Sequence, residues 1–133
     1  MVRPVDDPQP CDISVASRQL GDGVLVIGVG GVIDLLTAPR LTETLGAALV
    51  MAPRALIIDL TDVDFLSAAG LGVLVSARRD AGKATTVMVV ADGHVTRRPI
   101  VLTGVDQLVP TYFTVDQALS ALDDDPTVAL RQR

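Results

Sequence analysis

Asp59, Thr61, Asp62, Asp64 and Ser67 concentrate carboxylates and hydroxyls in one short stretch of the 133-residue chain. Asp62 and Asp64 are spaced to face the same way on an extended segment, as a cation site or an acid–base pair would need. Either chemistry requires further convergent groups. His94 is the only histidine and Cys11 the only cysteine, so neither a structural zinc site nor an internal disulfide can form. Gly28-Val29-Gly30-Gly31 lacks the dinucleotide fingerprint, whose third glycine comes two residues later and opens a helix. It reads as a bulged or closely packed strand. No GxxxxGK[ST] phosphate loop, metal cluster or cofactor motif is present, and the two carboxylates read as charged turn residues. Nothing here argues for an enzyme. Ser67 precedes an apolar run and suits a helix cap, whose side-chain oxygen accepts a backbone N–H two or three residues on.

The elements around these residues follow from hydrophobic spacing. Ala55–Leu60 is a β-branched apolar run, the pattern of a strand buried on both faces. Asp59, Thr61, Asp62 and Asp64 break it into an acidic loop, and Leu71, Leu74 and Val75 then recur at helical spacing up to Gly82. Before this unit, Ile13–Arg18 and Val24–Val32 flank Gly21-Asp22-Gly23, a hairpin signature. Thr37 is placed to cap a helix with Pro39 in its first turn, Leu41, Leu45 and Leu49 as its buried stripe and Pro53 as its stop. Thr86–Ala91 reads as a strand, and His94–Thr103 as a short helix interrupted by Pro99 and ended by Gly104-Val105-Asp106. A short strand at Pro110–Phe113 and an amphipathic helix through Val115, Ala118, Leu119 and Leu122 complete the pattern. Alternating strands and helices after a hairpin predict an α/β fold with a mostly parallel five-stranded sheet and about four helices packed on it.

Composition narrows the function class. Hydrophobic residues make up 49% and charged residues 20%, enough apolar chain for one core. A net charge of −5 with three aromatic residues in all argues against nucleic acid as a partner. The basic pairs Arg78-Arg79 and Arg97-Arg98 read as solvated helix faces. The longest apolar stretch, Val24–Ile33, is too short to span a bilayer. No charged start followed by an apolar stretch suggests export, so no membrane partner and a cytoplasmic location are expected. The organisation expected is a disordered arm over 1–11, one domain over 12–122 and a charged tail over 123–133. Nothing in the sequence specifies an oligomeric state.

Three segments carry a resemblance. Val63-Asp64-Phe65-Leu66-Ser67-Ala68-Ala69-Gly70-Leu71-Gly72-Val73-Leu74 resembles the signature loop and helix of STAS-domain anti-sigma factor antagonists. Gly31-Val32-Ile33-Asp34-Leu35-Leu36-Thr37-Ala38-Pro39 is similar to a second family segment, and Val95-Thr96-Arg97-Arg98 with Leu102-Thr103-Gly104-Val105-Asp106 to a third, in the family's order. The resemblance implies the same sheet architecture. It also implies a partner, an anti-sigma factor that is often a serine/threonine kinase, whose capture frees a sigma factor. In the family that kinase phosphorylates a hydroxyl in the signature loop and abolishes binding, and a phosphatase restores it.

Here Ser67 stands at the family's aspartate position and Ala68 at its phosphoacceptor position. Two roles for Ser67 stay open, a simple cap and a displaced phosphorylation site. Asp34 resembles the aspartate of the family's partner-binding surface, while Val32 stands where the family has a glutamate. The resemblance therefore implies a partner surface of Asp34, Leu35, Leu36, Thr37, Asp62, Asp64, Ser67, Ala68, Ala69 and Gly70. A small-molecule or nucleotide sensor and a scaffold subunit of a stress-signalling complex are the alternatives.

Overall fold

A computed structural model describes residues 13–124. The expected arm over 1–11, Cys11 and most of the expected tail lie outside these residues. Strand β1 (Ile13–Leu20) turns through Gly21–Gly23 into β2 (Val24–Ile33). Asp22 and Gly23 take left-handed backbone there, at φ 69° and 76°, which closes the hairpin tightly. Helix α1 (Ala38–Val50), strand β3 (Ala55–Leu66), helix α2 (Ala68–Ala81) and strand β4 (Thr86–Val90) follow. Helices α3 (His94–Leu102) and α4 (Val105–Leu108), strand β5 (Thr111–Tyr112) and helix α5 (Val115–Asp124) complete the chain.

The strands lie in sequence order, with β1 antiparallel to β2 and the other pairs parallel. Every parallel crossover therefore steps the same way across the sheet. The right-handed rule for such connections puts their helices on one face. The packing agrees, since Leu41 and Leu45 of α1, Leu74 of α2, Ile100 of α3 and Val105 of α4 share a core with Leu56, Ile58 and Leu60. The opposite face carries Val24, Val26, Ile57 and Met88 beneath Ala118 and Leu122 of α5. Leu56, Ile57, Ile58 and Leu60 are fully buried, each worth about 1.5–3 kcal/mol of apolar burial.

Four expectations need correction. The acidic stretch is not a loop, because β3 continues to Leu66. Helix α3 runs unbroken through Pro99; the missing N–H costs only the bond to the carbonyl of Val95, an exposed residue. Helix α3 ends before Gly104 as expected, but the left-handed φ of 79° there leads straight into the single turn of α4, which makes five helices and not about four. Helix α5 extends to Asp124, inside the segment expected as tail.

Candidate functional site

The turn after β2 is built by side chains. Asp34 is half-buried and its Oδ1 accepts the backbone N–H groups of Leu36 at 3.0 Å and Thr37 at 3.1 Å. Thr37 is buried, and its Oγ1 accepts the Asp34 N–H at 2.9 Å and donates to the Val32 carbonyl at 2.8 Å. Thr37 therefore sits at the cap position of α1 without capping it. Its hydroxyl is committed backwards, to the strand end, rather than forwards to the helix amides as expected. This reciprocal lock, in which Asp and Thr side chains replace backbone pairing, fixes the two residues between them. Leu35 and Leu36 are 79% and 76% exposed. Two adjacent leucines held out into water by a closed turn are not side chains left over from a core.

The neighbouring ledge is the far end of β3. Pairing with β2 shifts register twice, between Gly28 and Gly30 and again between Gly31 and Val32. Each shift inserts an extra residue into β3, a β-bulge. Inward positions consequently fall at Leu60, Val63 and Leu66, three apart instead of two. Thr61, Asp62, Asp64 and Phe65 are left exposed. A Cβ at Gly30 would lie 2.8 Å from Ser14 Oγ and 3.3 Å from Asp62 Cβ, so glycine is what lets the bulged strand come close. Phe65, 52% exposed and paired with Val32, is an apolar member of this ledge that was not singled out from the sequence. Its signal was an aromatic residue beside acidic neighbours just before the helix.

One backbone bond joins turn and ledge. The Ser67 N–H donates to the Ile33 carbonyl at 2.9 Å, tying the start of α2 to the residue before Asp34. The Ser67 Oγ accepts the Gly70 N–H at 3.3 Å, so Ser67 is the expected N-cap. A Cβ at Gly70 would come within 2.6 Å of Leu66 Cδ1 and 2.7 Å of Ile33 Cγ2; only glycine allows this approach. Ala68 is exposed, Ser67 and Ala69 are half-buried, and Gly70 is buried. The ten residues picked from sequence thus converge at the carboxyl ends of β2 and β3, where open α/β sheets place their sites. Thr37 and Gly70 shape that surface from beneath it.

The arrangement offers little for bond-breaking. Among the described residues no group of three His, Cys, Asp or Glu side chains could hold a metal ion. His94 is exposed at the start of α3, and Asp59 Oδ1 accepts from both the backbone N–H and the hydroxyl of Thr61. Arg97, expected to be solvated, donates to the Ala91 carbonyl at 3.0 Å and stacks 3.6 Å from the centre of the Phe113 ring. That clamp pins α3 to the segment after β5.

The family model for the STAS domain matches residues 17–118, nearly all of the described fold. The chain belongs to the STAS family of anti-sigma factor antagonists. It is 39% identical to the anti-sigma-F factor antagonist RsfB of Mycobacterium tuberculosis over 115 residues, covering 86% of this chain and 92% of that protein. Its fold matches the crystal structure of an anti-sigma factor antagonist from Mycobacterium paratuberculosis with a TM-score of 0.82 and 45% identity, over 87% of this chain and 98% of that one. The unphosphorylated form of the antagonist SpoIIAA is similar in fold alone, with a TM-score of 0.68 at 13% identity over 84% of this chain and 98% of that one. No helix among the described residues of this STAS domain is long and apolar enough to cross a membrane.

Proposed function

We propose that this STAS domain is a cytoplasmic anti-sigma factor antagonist. It captures an anti-sigma factor of the serine/threonine kinase type and so frees a sigma factor, acting by binding and not by catalysis. The observation that carries this reading is the pair Leu35 and Leu36, 79% and 76% exposed on a side-chain-locked turn beside an acidic ledge. An apolar anchor rimmed by polar groups is how protein interfaces concentrate binding energy. The relatives named as antagonists support an anti-sigma factor as the partner, and its kinase type rests on the family resemblance.

The family's phosphorylation switch is missing from its usual place. Ala68, at that position, is exposed but has no hydroxyl, and the hydroxyl of Ser67 is occupied as a helix cap. The protein is then a constitutively competent antagonist, governed by its abundance or another input, and a phosphatase has nothing to reverse on it. The test uses purified protein with candidate anti-sigma kinases from its own source. Tight binding to one of them, release of its sigma factor and no gain in intact mass with ATP are expected. A mass gain of one phosphate that disappears in Ser67→Ala would overturn the lost switch but keep the partner. Absence of both binding and modification would overturn the partner as well.

A further inference from the structure

Strand β1 is an open edge of the sheet. One of its sides pairs with β2, and no strand among the described residues takes the other. In an antiparallel ladder alternate residues bond across the pair, and those between them turn N–H and C=O outward. Such an edge is a template for another strand unless proline, a bulge or charge blunts it. The sequence of β1, ISVASRQL, has no proline and one charge, the exposed Arg18. Its register with β2 is unbroken from Ile13↔Gly31 to Leu20↔Val24. Beside it, a groove of about 650 Å³ opens toward α1, with Val15, Leu25 and Ile27 as its floor and Ala47 and Met51 as its wall.

We propose that a second copy of the chain occupies this edge, β1 pairing antiparallel with β1 across a two-fold axis. A contact of this kind requires a strand complementary to itself. Registers that keep the helices of both copies on one side of the joined sheet pair residues of like parity. Centred on Arg18, such a register sets two cations face to face. Centred on Ala16, it sets Arg18 opposite Ser14 of the second copy. Across the sheet from Ser14 come Gly30 and then Asp62, all on one face, since a Cβ at Gly30 would lie 2.8 Å from Ser14 Oγ and 3.3 Å from Asp62 Cβ. The arginine of one copy is thus set along a row of the other that has no side chain at its middle and an exposed carboxylate at its end. Neither Arg18 nor Asp62 makes a hydrogen bond or ion pair among the described residues. The two-fold axis brings these unpaired opposite charges together twice.

On the helix-bearing face the same register places Ile13 opposite Gln19, which lines the groove together with Met51, and the two grooves meet at the axis. Residues 13–19 overlap over about 23 Å. With a depth of about 20 Å, one sheet layer and one helix layer, the contact covers about 450 Å² on each copy and about 900 Å² in all, the size of a weak, reversible dimer. The Ile13 end of β1 lies beside α1, where Arg40 Nη1 donates to the Ile13 carbonyl at 2.8 Å, and so on the side of the Asp34–Thr37 turn. The axis sends these ends apart, and the dimer presents two such turns at opposite ends of the shared ladder. This inference is separate from the functional reading, and either can fail alone.

The test is sedimentation equilibrium on the full chain from low micromolar to submillimolar concentration, with amide hydrogen exchange at both extremes. A monomer–dimer equilibrium within that range is expected, with exchange slowed along Ile13–Leu20 at high concentration and unchanged at Leu35 and Leu36. Arg18→Glu and Asp62→Arg, both at exposed positions, should each weaken the dimer about fivefold or more, and the double reversal should restore it. A monomer at every concentration would overturn the proposal. So would a dimer that ignores the single reversals, a double variant no tighter than either single one, or a dimer whose β1 amides exchange as in the monomer.

Discussion

The two ends of the β2–β3 pair obey different rules. Toward the amino-terminal ends, from Val24↔Ala55 to Gly28↔Asp59, register is unbroken and side chains alternate strictly between two covered faces. Toward the carboxyl ends the register slips twice and only every third residue of β3 turns inward. The regular end spends its side chains on burial. The bulged end keeps just enough inward residues to stay attached and frees the others for a surface. On the proposed reading, stability and recognition fall to opposite ends of the same two strands.

The contrast breaks most readily at the regular end. Ile57 is fully buried between the sheet and α5, so Ile57→Ala is expected to cost about 2–5 kcal/mol of unfolding free energy in urea denaturation. Affinity for the partner, measured where the variant is still folded, should stay as in the parent. A loss of affinity in that folded population would show that the two ends are coupled.

The reverse outcome is expected at the exposed end. Leu35→Ala/Leu36→Ala should leave the unfolding free energy from urea denaturation within about 0.5 kcal/mol of the parent, as for surface changes generally. Partner affinity should fall at least about 30-fold, or roughly 2 kcal/mol, the scale of an interface anchor. Unchanged affinity by calorimetry would remove the leucines from the site.

Asp34 lies on the boundary and separates holding from touching. Its Oδ1 accepts two backbone N–H groups, so Asp34→Ala should cost about 1–2 kcal/mol of stability and lower affinity by loosening the leucines. Asp34→Asn retains a carbonyl oxygen for the turn but not the charge. Parent-like affinity in Asp34→Asn identifies Asp34 as the holder of the turn, and affinity as poor as in the alanine variant identifies a charge that the partner contacts.

What could be read from the sequence follows the same division. The regular strands were legible because Ala55–Leu60 and Thr86–Ala91 are apolar without interruption, and the helices because Leu41, Leu45 and Leu74 keep helical spacing. The end of β3 was hidden, since Leu60, Val63 and Leu66 match no strand period and the aspartates between them resemble turn residues. The bulges depend on Gly30 in a different strand, a non-local cause. Helix α4 is too short for any period to show, and Gly104 ends one helix while opening the next turn. At the site, the convergence of the picked residues at one end of the sheet was legible through the family resemblance. Missed were the backward-facing hydroxyl of Thr37, the exposure of Phe65 and the engagement of Arg97, all set by tertiary contacts.

The smallest expected effect decides to which end Ser67 belongs. Its hydroxyl caps α2 through a rather long 3.3 Å bond to the Gly70 N–H, so Ser67→Ala should cost about 0.5–1 kcal/mol, the low side of cap removals. The backbone bond from the Ser67 N–H to Ile33 survives the substitution, and the junction between turn and ledge stays in place. If Ser67 serves only the helix, the variant binds its partner as the parent does, apart from that small loss of stability in a denaturant titration. A larger loss of affinity with the same small change in stability would mean that the partner reads the hydroxyl itself, and the cap would then be part of the recognition surface.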